Sequence, residues 1–295
     1  MQNKLTIIAE AASCGDGQLH KMNALAITAS NVGADAVKFQ WTSSATKMAR
    51  RRHASKTPYL SYYRKYLQWS KDWHEQLRTI STQHNIRYLC SVYLPEDVEV
   101  IAPHVDAFKI SSFECGDIEL LDAMLSHKKP VYLSTGITEE KDLEFLLRYS
   151  ADDVKLLHCV SAYPTPLADC NLSVLRTRIS PTVHTQLDAN KTDGISLADS
   201  KRKSISFDGF SDHTNPNYVS SGALAVMAGA TILEAHLRLR TTDVDNPDYP
   251  HAMTSDQFQS YVLNAKEAIS MLGSGKKAVT QSEQSLSGFR VVQTK

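Results

Sequence analysis

Lysine, histidine, carboxylate and hydroxyl side chains recur at short intervals along this chain, each just after an apolar, β-prone run. Glu10 closes the run from Leu5, and Lys38 and Gln40 close Asp35–Gln40. Ser91 follows Ile86, and Lys109, Ser111, Ser112 and Glu114 follow Ala107. Ser134, Thr135 and Gly136 end the next run; His158, Ser161 and Tyr163 end the one after it. Ser211, Asp212 and His213 follow Ile205–Phe210, and Glu234 and His236 end Thr231–His236. Lysines and hydroxyls brought to one place make a cradle for phosphate or carboxylate. Two histidines on adjacent strands, with Glu234 and Asp212 beside them, suit a divalent ion such as Mn or Mg. Bland alternatives stand beside each: rim lysines with snorkelling stems, core histidines with satisfied nitrogens, and a structural Glu10–Lys38 pair. Cys159 beside His158 reads as an inert buried thiol rather than a nucleophile.

The elements that must position these groups alternate in type. The expected strands are Leu5–Glu10, Asp35–Gln40, Ile86–Ser91, Ala107–Ser111, Val131–Ser134, Val154–Cys159, Ile205–Phe210 and Thr231–His236. Helical patterns follow at Leu19–Val32, Lys71–His84, from Pro95, Ile118–Ser126, Glu139–Tyr149, Leu172–Ile179, Tyr218–Ala228 and Ser255–Leu272. This alternation predicts an α/β fold with a parallel sheet, and its count predicts a (β/α)8 TIM barrel of one domain. No GxGxxG follows the first strand, which argues against a dinucleotide fold. In such a barrel the polar strand ends share one mouth. The catalytic barrel is expected over 1–275, with a polar tail at 276–295 and a long polar loop over about 180–204.

The 295 residues include 42% hydrophobic and 22% charged side chains, with formal net charge zero. That balance gives no support for a nucleic-acid or anionic-membrane partner. Arg50–Arg52 is expected to be a solvated basic loop. No apolar run reaches the roughly 20 residues that cross a bilayer. The N-terminus lacks a signal-peptide pattern, and five scattered cysteines without a CxxC pair fit a reducing cytoplasm.

The stretches IIAEAASCGDG, GADAVKFQ, FKISSFECGDIELLDAM, KPVYLSTGITE, LLHCVSAYPTP, GFSDHT and GATILEAH, in that order, resemble the sialic acid synthase family, which includes legionaminate and pseudaminate synthases. The resemblance implies a barrel that condenses phosphoenolpyruvate with an N-acylated sugar aldehyde, with a divalent metal and a homodimeric state. It implies that Lys38, Lys109, Ser112, Ser134 and Ser211 hold phosphoenolpyruvate, with Ser91 near the phosphate. It places the metal on His213 and His236, and Glu10, Gln40, Tyr163 and Ser161 on the sugar side.

The chain departs from the family in three places. Ser13-Cys14 replaces an Asn-His pair, HLRLR puts Arg240 where the family has an aspartate, and the stretch SEQSLSGFR, which resembles the linker to the family's antifreeze-like domain, is expected to lack that domain after it. These changes leave the acceptor unassigned. They predict that Arg240 supplies a cation in cis to an anionic aldehyde. A non-catalytic paralogue that binds a sugar acid or regulates a synthase is the alternative. A deoxyoctulosonate-phosphate-type synthase is disfavoured by FSDHT and HCVSAYPTP.

Overall fold

Strand periodicity sets the inside and outside of this molecule. The computed structural model describes residues 5–52, 59–180 and 200–289. Its strands are β1 (Thr6–Ala12), β2 (Ala36–Gln40), β3 (Arg87–Ser91), β4 (Ala107–Ile110), β5 (Val131–Ser134), β6 (Val154–Cys159), β7 (Gly209–Asp212) and β8 (Ile232–His236). They pair in parallel, in chain order, and β1 closes on β8. The expected (β/α)8 barrel is therefore the fold.

Side chains on a strand alternate between faces. One set, including Ile7, Val37, Phe39, Phe108, Val131, Leu133 and Leu233, faces outward and packs on the helices. Burying such a side chain contributes about 1.5–3 kcal/mol. The other set plugs the barrel: Ile8, Ala36, Leu89, Ala107, Tyr132, Leu157 and Ile232 form one buried cluster. Gly209 completes that layer on β7, where a Cβ would lie 2.1 Å from the Ile232 carbonyl oxygen. Two residues further along each strand stand Glu10, Lys38, Ser91, Lys109, Ser134, Cys159, Ser211 and Glu234. The polar layer is thus the plug layer moved up by one strand repeat.

The outer helices are α1 (Leu19–Asn31), α2 (Ala45–Arg51), α3 (Tyr59–Tyr62), α4 (Trp73–Gln83), α5 (Pro95–Ile101), α6 (Ile118–Ser126), α7 (Ser221–Ala228) and α8 (Ser255–Leu272). A π-helical turn, Tyr63–Leu67, continues α3. Thr254 and Gln257 cap α8 reciprocally, and Ser44 caps α2.

Several boundaries differ from the periodicity. The stretch after β2 is not a bare loop: α2, α3 and the π turn bury Ala45, Met48, Tyr63, Tyr66 and Leu67 against Tyr93. The segments expected as helices after β5 and β6 are 3-10 turns, Glu140–Arg148 and Leu172–Arg176. β7 begins at Gly209 rather than Ile205, because Ile205 pairs antiparallel with Ile179 outside the barrel. Below that bridge the buried Arg202 guanidinium donates to the carbonyls of Tyr149, Ser150 and Val154. Most of the expected polar loop, 181–199, lies outside the described residues. Among the described residues no helix is long and apolar enough to cross a membrane.

Candidate active site

The polar layer floors a cavity of about 990 Å³ at the C-terminal end of the strands. Glu10, Lys38, Gln40, Lys109, Ser112, Ser134, Tyr163, Ser211, His213 and His236 all line it. The register explains the convergence, since Glu10 pairs with Lys38 on one side and His236 on the other, and Ser211 with Glu234.

Four buried charges compensate one another on the floor. Lys38 Nζ sits against Glu10 Oε2 and lies 3.2 Å from Glu234 Oε1. Lys109 Nζ donates to Ser134 Oγ and the Ile110 carbonyl, each at 2.7 Å, and stands 3.8 Å from Glu234. Ser211 Oγ donates to Glu234 Oε1 at 3.0 Å, and the Ala12 amide to Glu10 Oε1 at 2.7 Å. Burial pulls both lysine pKa values down. At Lys38 the carboxylates of Glu10 and Glu234 outweigh burial and hold the pKa above the ordinary value. At Lys109 burial wins over Glu234 and leaves a pKa of about 8. Burial also raises Glu10, whereas at Glu234 the attraction of Lys109 and Lys38 overcomes burial and lowers it.

Histidines gather on the β7–β8 side. The His213 and His236 rings are 5.4 Å apart, and the His251 ring lies 4.5 Å from His236. Ligand atoms of His236, Asp248 and His251 all fall within 4.8 Å of one another, as a metal site requires. His236 Nδ1 and both ring nitrogens of His251 are buried without a hydrogen-bond partner. His213 Nδ1 is 2.9 Å from the Val160 carbonyl, which can only accept, so the proton sits on Nδ1 and Nε2 keeps its lone pair. Burial lowers all three pKa values, His213 to about 4, so these imidazoles are neutral donors near neutral pH. Nitrogen and oxygen donors of this kind fit a divalent ion.

Other expected site residues stand elsewhere. Arg240 is outside the cavity: its guanidinium is 77% exposed and pairs with Asp256 at 2.8 Å, in the first turn of α8. The expectation that it serves the acceptor is thereby corrected. Ser91 points into the barrel but lies buried below the cavity, its hydroxyl unpartnered. Glu114 is buried behind the wall and bonded to Arg52, and Ser161 donates to Ser112 Oγ at 3.0 Å, so both reach the cavity only through a neighbour. Asp212 faces outward, accepting from Ser221 at 2.5 Å and the Thr214 amide at 2.9 Å. His158 Nε2 meets the Cys170 carbonyl at 2.9 Å, away from the histidine group.

Sequence reasoning missed the upper wall. Arg52 lines the cavity, held by Glu114 and stacked on Tyr93 at 4.7 Å. Arg51 pairs with Asp117 at 2.6 Å and Glu119 at 2.9 Å, so the arginine run is not a solvated loop. Tyr59, Tyr62, Tyr63 and Tyr93 add an aromatic rim, and Asp248 and His251 come from the loop after β8. The only sequence signal for the last two was their three-residue spacing beyond His236. Ser13, at the departed motif, ties that loop down: its amide and hydroxyl donate to Asp248 Oδ2 at 2.9 and 2.5 Å.

Buried lysines, acids and neutral histidines at the C-terminal mouth of a (β/α)8 barrel stand where barrel enzymes carry their active sites. Comparison narrows the class. The chain belongs to the NeuB family, matched over residues 25–181 and 197–277. It is 27% identical to the N,N'-diacetyllegionaminic acid synthase of Legionella pneumophila, over 94% of this chain and 76% of that protein. It is 28% identical to an uncharacterised protein of Methanocaldococcus jannaschii, over 94% of this chain and 75% of that one. The crystal structure of N-acetylneuraminic acid synthetase from Leptospira borgpetersenii serovar Hardjo-bovis superposes with a TM-score of 0.78, covering 98% of this chain and 92% of that chain. At 24% identity that likeness speaks for the fold.

Proposed function

We propose that this chain is a phosphoenolpyruvate-dependent synthase that joins the pyruvyl carbon to a sugar-like aldehyde, releasing phosphate and a 2-keto-3-deoxy sugar acid. One observation carries the reading: a buried Lys38–Lys109–Ser134–Ser211 cradle shares a cavity with a group of neutral histidines. Membership of the NeuB family, with relatives named as sugar-acid synthases, supports it.

In this reading Lys109, Lys38, Ser134 and Ser211 pair with the phosphate and carboxylate oxygens, beside Ser112. Being fixed on strands, they meet developing charge without reorganising. The enol carbon attacks the aldehyde carbon, whose oxygen becomes a hydroxyl. Water adds to the cationic carbon so formed, Glu10 passes one of the water's protons to the new alkoxide, and the hemiketal collapses to the ketone as phosphate leaves by C–O cleavage with the other proton. Gln40, held through its Oε1 by Tyr93 at 2.7 Å, and Tyr163 position the acceptor. His213 and His236 would hold a divalent ion such as Mn or Mg, which as a Lewis acid would polarise the aldehyde oxygen. Ser91, Ser161 and Glu114 support the cradle from behind.

The test is phosphate release from phosphoenolpyruvate with Mn and a panel of aldehydes that includes N-acetylmannosamine and phosphorylated sugars. Release that needs phosphoenolpyruvate, metal and aldehyde together supports the synthase. No release with any aldehyde, despite bound phosphoenolpyruvate, overturns it in favour of a non-catalytic sugar-acid binder. The homodimer that the family resemblance implies is part of the proposal and is read by sedimentation.

A further inference from the structure

We propose that Asp248 and His251 ligate the divalent ion directly together with His236, and that Ser13 orients Asp248 for it. This rests on reading the cavity as a metal-assisted site, and it adds a ligand pair from the loop after β8 to the two strand-end histidines.

The loop is built to hold a shape. Asn246 Nδ2 donates to the Ser13 carbonyl at 2.8 Å and to Asp16 Oδ1 at 2.7 Å. Thr242 Oγ1 donates to the Cys14 carbonyl at 3.0 Å, and Lys21 bridges Asp16 and the Thr241 carbonyl. The loop after β1 and the loop after β8 are therefore one hydrogen-bonded unit. Within it, the Ser13 amide donates to Asp248 Oδ2 at 2.9 Å, and the Ser13 hydroxyl has Asp248 Oδ2 at 2.5 Å and Asn246 Oδ1 at 2.6 Å as acceptors. Asp248 lines the cavity, and its Oδ1, which accepts no hydrogen bond from Ser13, lies 3.5 Å from His251 Nε2.

The 3.5 Å contact does not have hydrogen-bond geometry, since both ring nitrogens of His251 are unpartnered. Buried polar nitrogens without partners are costly. Here one ring nitrogen of His236, one of His251 and a carboxylate oxygen of Asp248 lie within 4.8 Å of one another, and His236 Nδ1 and both His251 nitrogens have no partner. A cation held between these three atoms would give the unpartnered nitrogens the ligand they lack. Tyr163 packs against His251 at 5.0 Å and against His213 at 4.4 Å, which keeps the two rings on one wall. Mixed imidazole and carboxylate donors suit Mn.

The experiment measures Mn binding to the metal-stripped full chain, by calorimetry and by loss of the free-ion electron paramagnetic resonance signal, without phosphoenolpyruvate or aldehyde. Outer-sphere partners alone cost about 10–100-fold in affinity. His251→Ala and Asp248→Asn should each weaken Mn binding by at least about tenfold, and Ser13→Ala by a smaller factor. Unchanged affinity in a folded His251→Ala, or a wild type that takes up no Mn, overturns the inference. His251→Cys guards against a merely structural effect. Loaded with cobalt(II), it should show a thiolate-to-cobalt charge-transfer band that the wild type lacks, and a folded protein without that band counts against ligation. Because no substrate is present, a failed synthase assay leaves this result standing, and a failed metal result leaves the phosphate-release assay to judge the synthase.

Discussion

Lys38 and Lys109 share one buried layer but are displaced in opposite directions. Lys38 lies between two carboxylates, Glu10 and Glu234, and stays firmly charged. Lys109 has only the shared Glu234, at 3.8 Å, and feels Lys38 as a like charge, so burial sets its pKa near 8. A phosphate monoester has completed its second ionisation by about pH 7. Above that, any loss of anion binding comes from the protein. Lys109 is protonated below about 8 and neutral above it, so phosphoenolpyruvate should bind best at neutral pH and weaken as pH rises through 8. In Lys109→Arg the fall should vanish, and in Lys109→Met binding at pH 7 should drop about tenfold or more and then stay flat, converging with the wild type above pH 8. Calorimetric titration from pH 7 to pH 9.5 checks this, and a flat wild-type profile contradicts it. These strand-end lysines were readable from the chain because strand alternation dictates which residues share the mouth. Arg240 was misread for the complementary reason: beyond His236 the chain turns, and distance along the sequence no longer gives direction. Its guanidinium follows the acidic first turn of α8 instead.

At the scale of elements, the segment between β2 and α4 was the part least visible in the sequence. Its apolar residues are few and interrupted by polar ones, so periodicity does not reveal that Ala45–Arg51 and Tyr59–Leu67 fold onto Tyr93. Beside the Arg51 pairs and the apolar contacts with Tyr93, a buried cation fastens this insert. Arg52 donates through Nε and Nη2 to both oxygens of Glu114, adds Ser111 at 3.2 Å, and is enclosed by the rings of Tyr93 and Phe113. Removing the arginine alone leaves a carboxylate that is only 5% exposed without its partner. Breaking such a pair costs about 3–5 kcal/mol. Arg52→Ala should therefore lower the unfolding free energy by about 3 kcal/mol and speed amide exchange across α2. Arg52→Met combined with Glu114→Met should recover most of the stability, since no charge is then stranded. Denaturant unfolding of the single and double variants decides the point, and additive losses would rule out the clamp.

Across the whole molecule, the barrel core contains titratable groups that the cavity does not use. His74, on α4, is buried among Trp41 and Trp69, with ring centroids 4.8 and 4.6 Å away, and its Nδ1 lies 2.6 Å from the Tyr88 hydroxyl. Burial, with a smaller push from His104, lowers its pKa from 6.5 to about 3. The sign follows from proton counting. Between pH 6.5 and 3 the unfolded chain carries a proton on this histidine and the folded protein does not. Stability is thus fully present above pH 6.5 and is lost as pH falls toward 3. One such proton gives a slope of about 1.4 kcal/mol per pH unit. His158, lowered by its own burial, acts in the same direction. His74→Phe keeps a ring between the tryptophans but removes the titration. It should lower stability at pH 7, because the Tyr88 hydroxyl loses its partner, yet make the decline between pH 6 and pH 4 shallower by roughly that one-proton slope. Urea unfolding at half-unit pH steps measures both quantities on the metal-free protein. If wild type and His74→Phe lose stability at the same rate below pH 6, His74 is not the group that makes this barrel acid-labile.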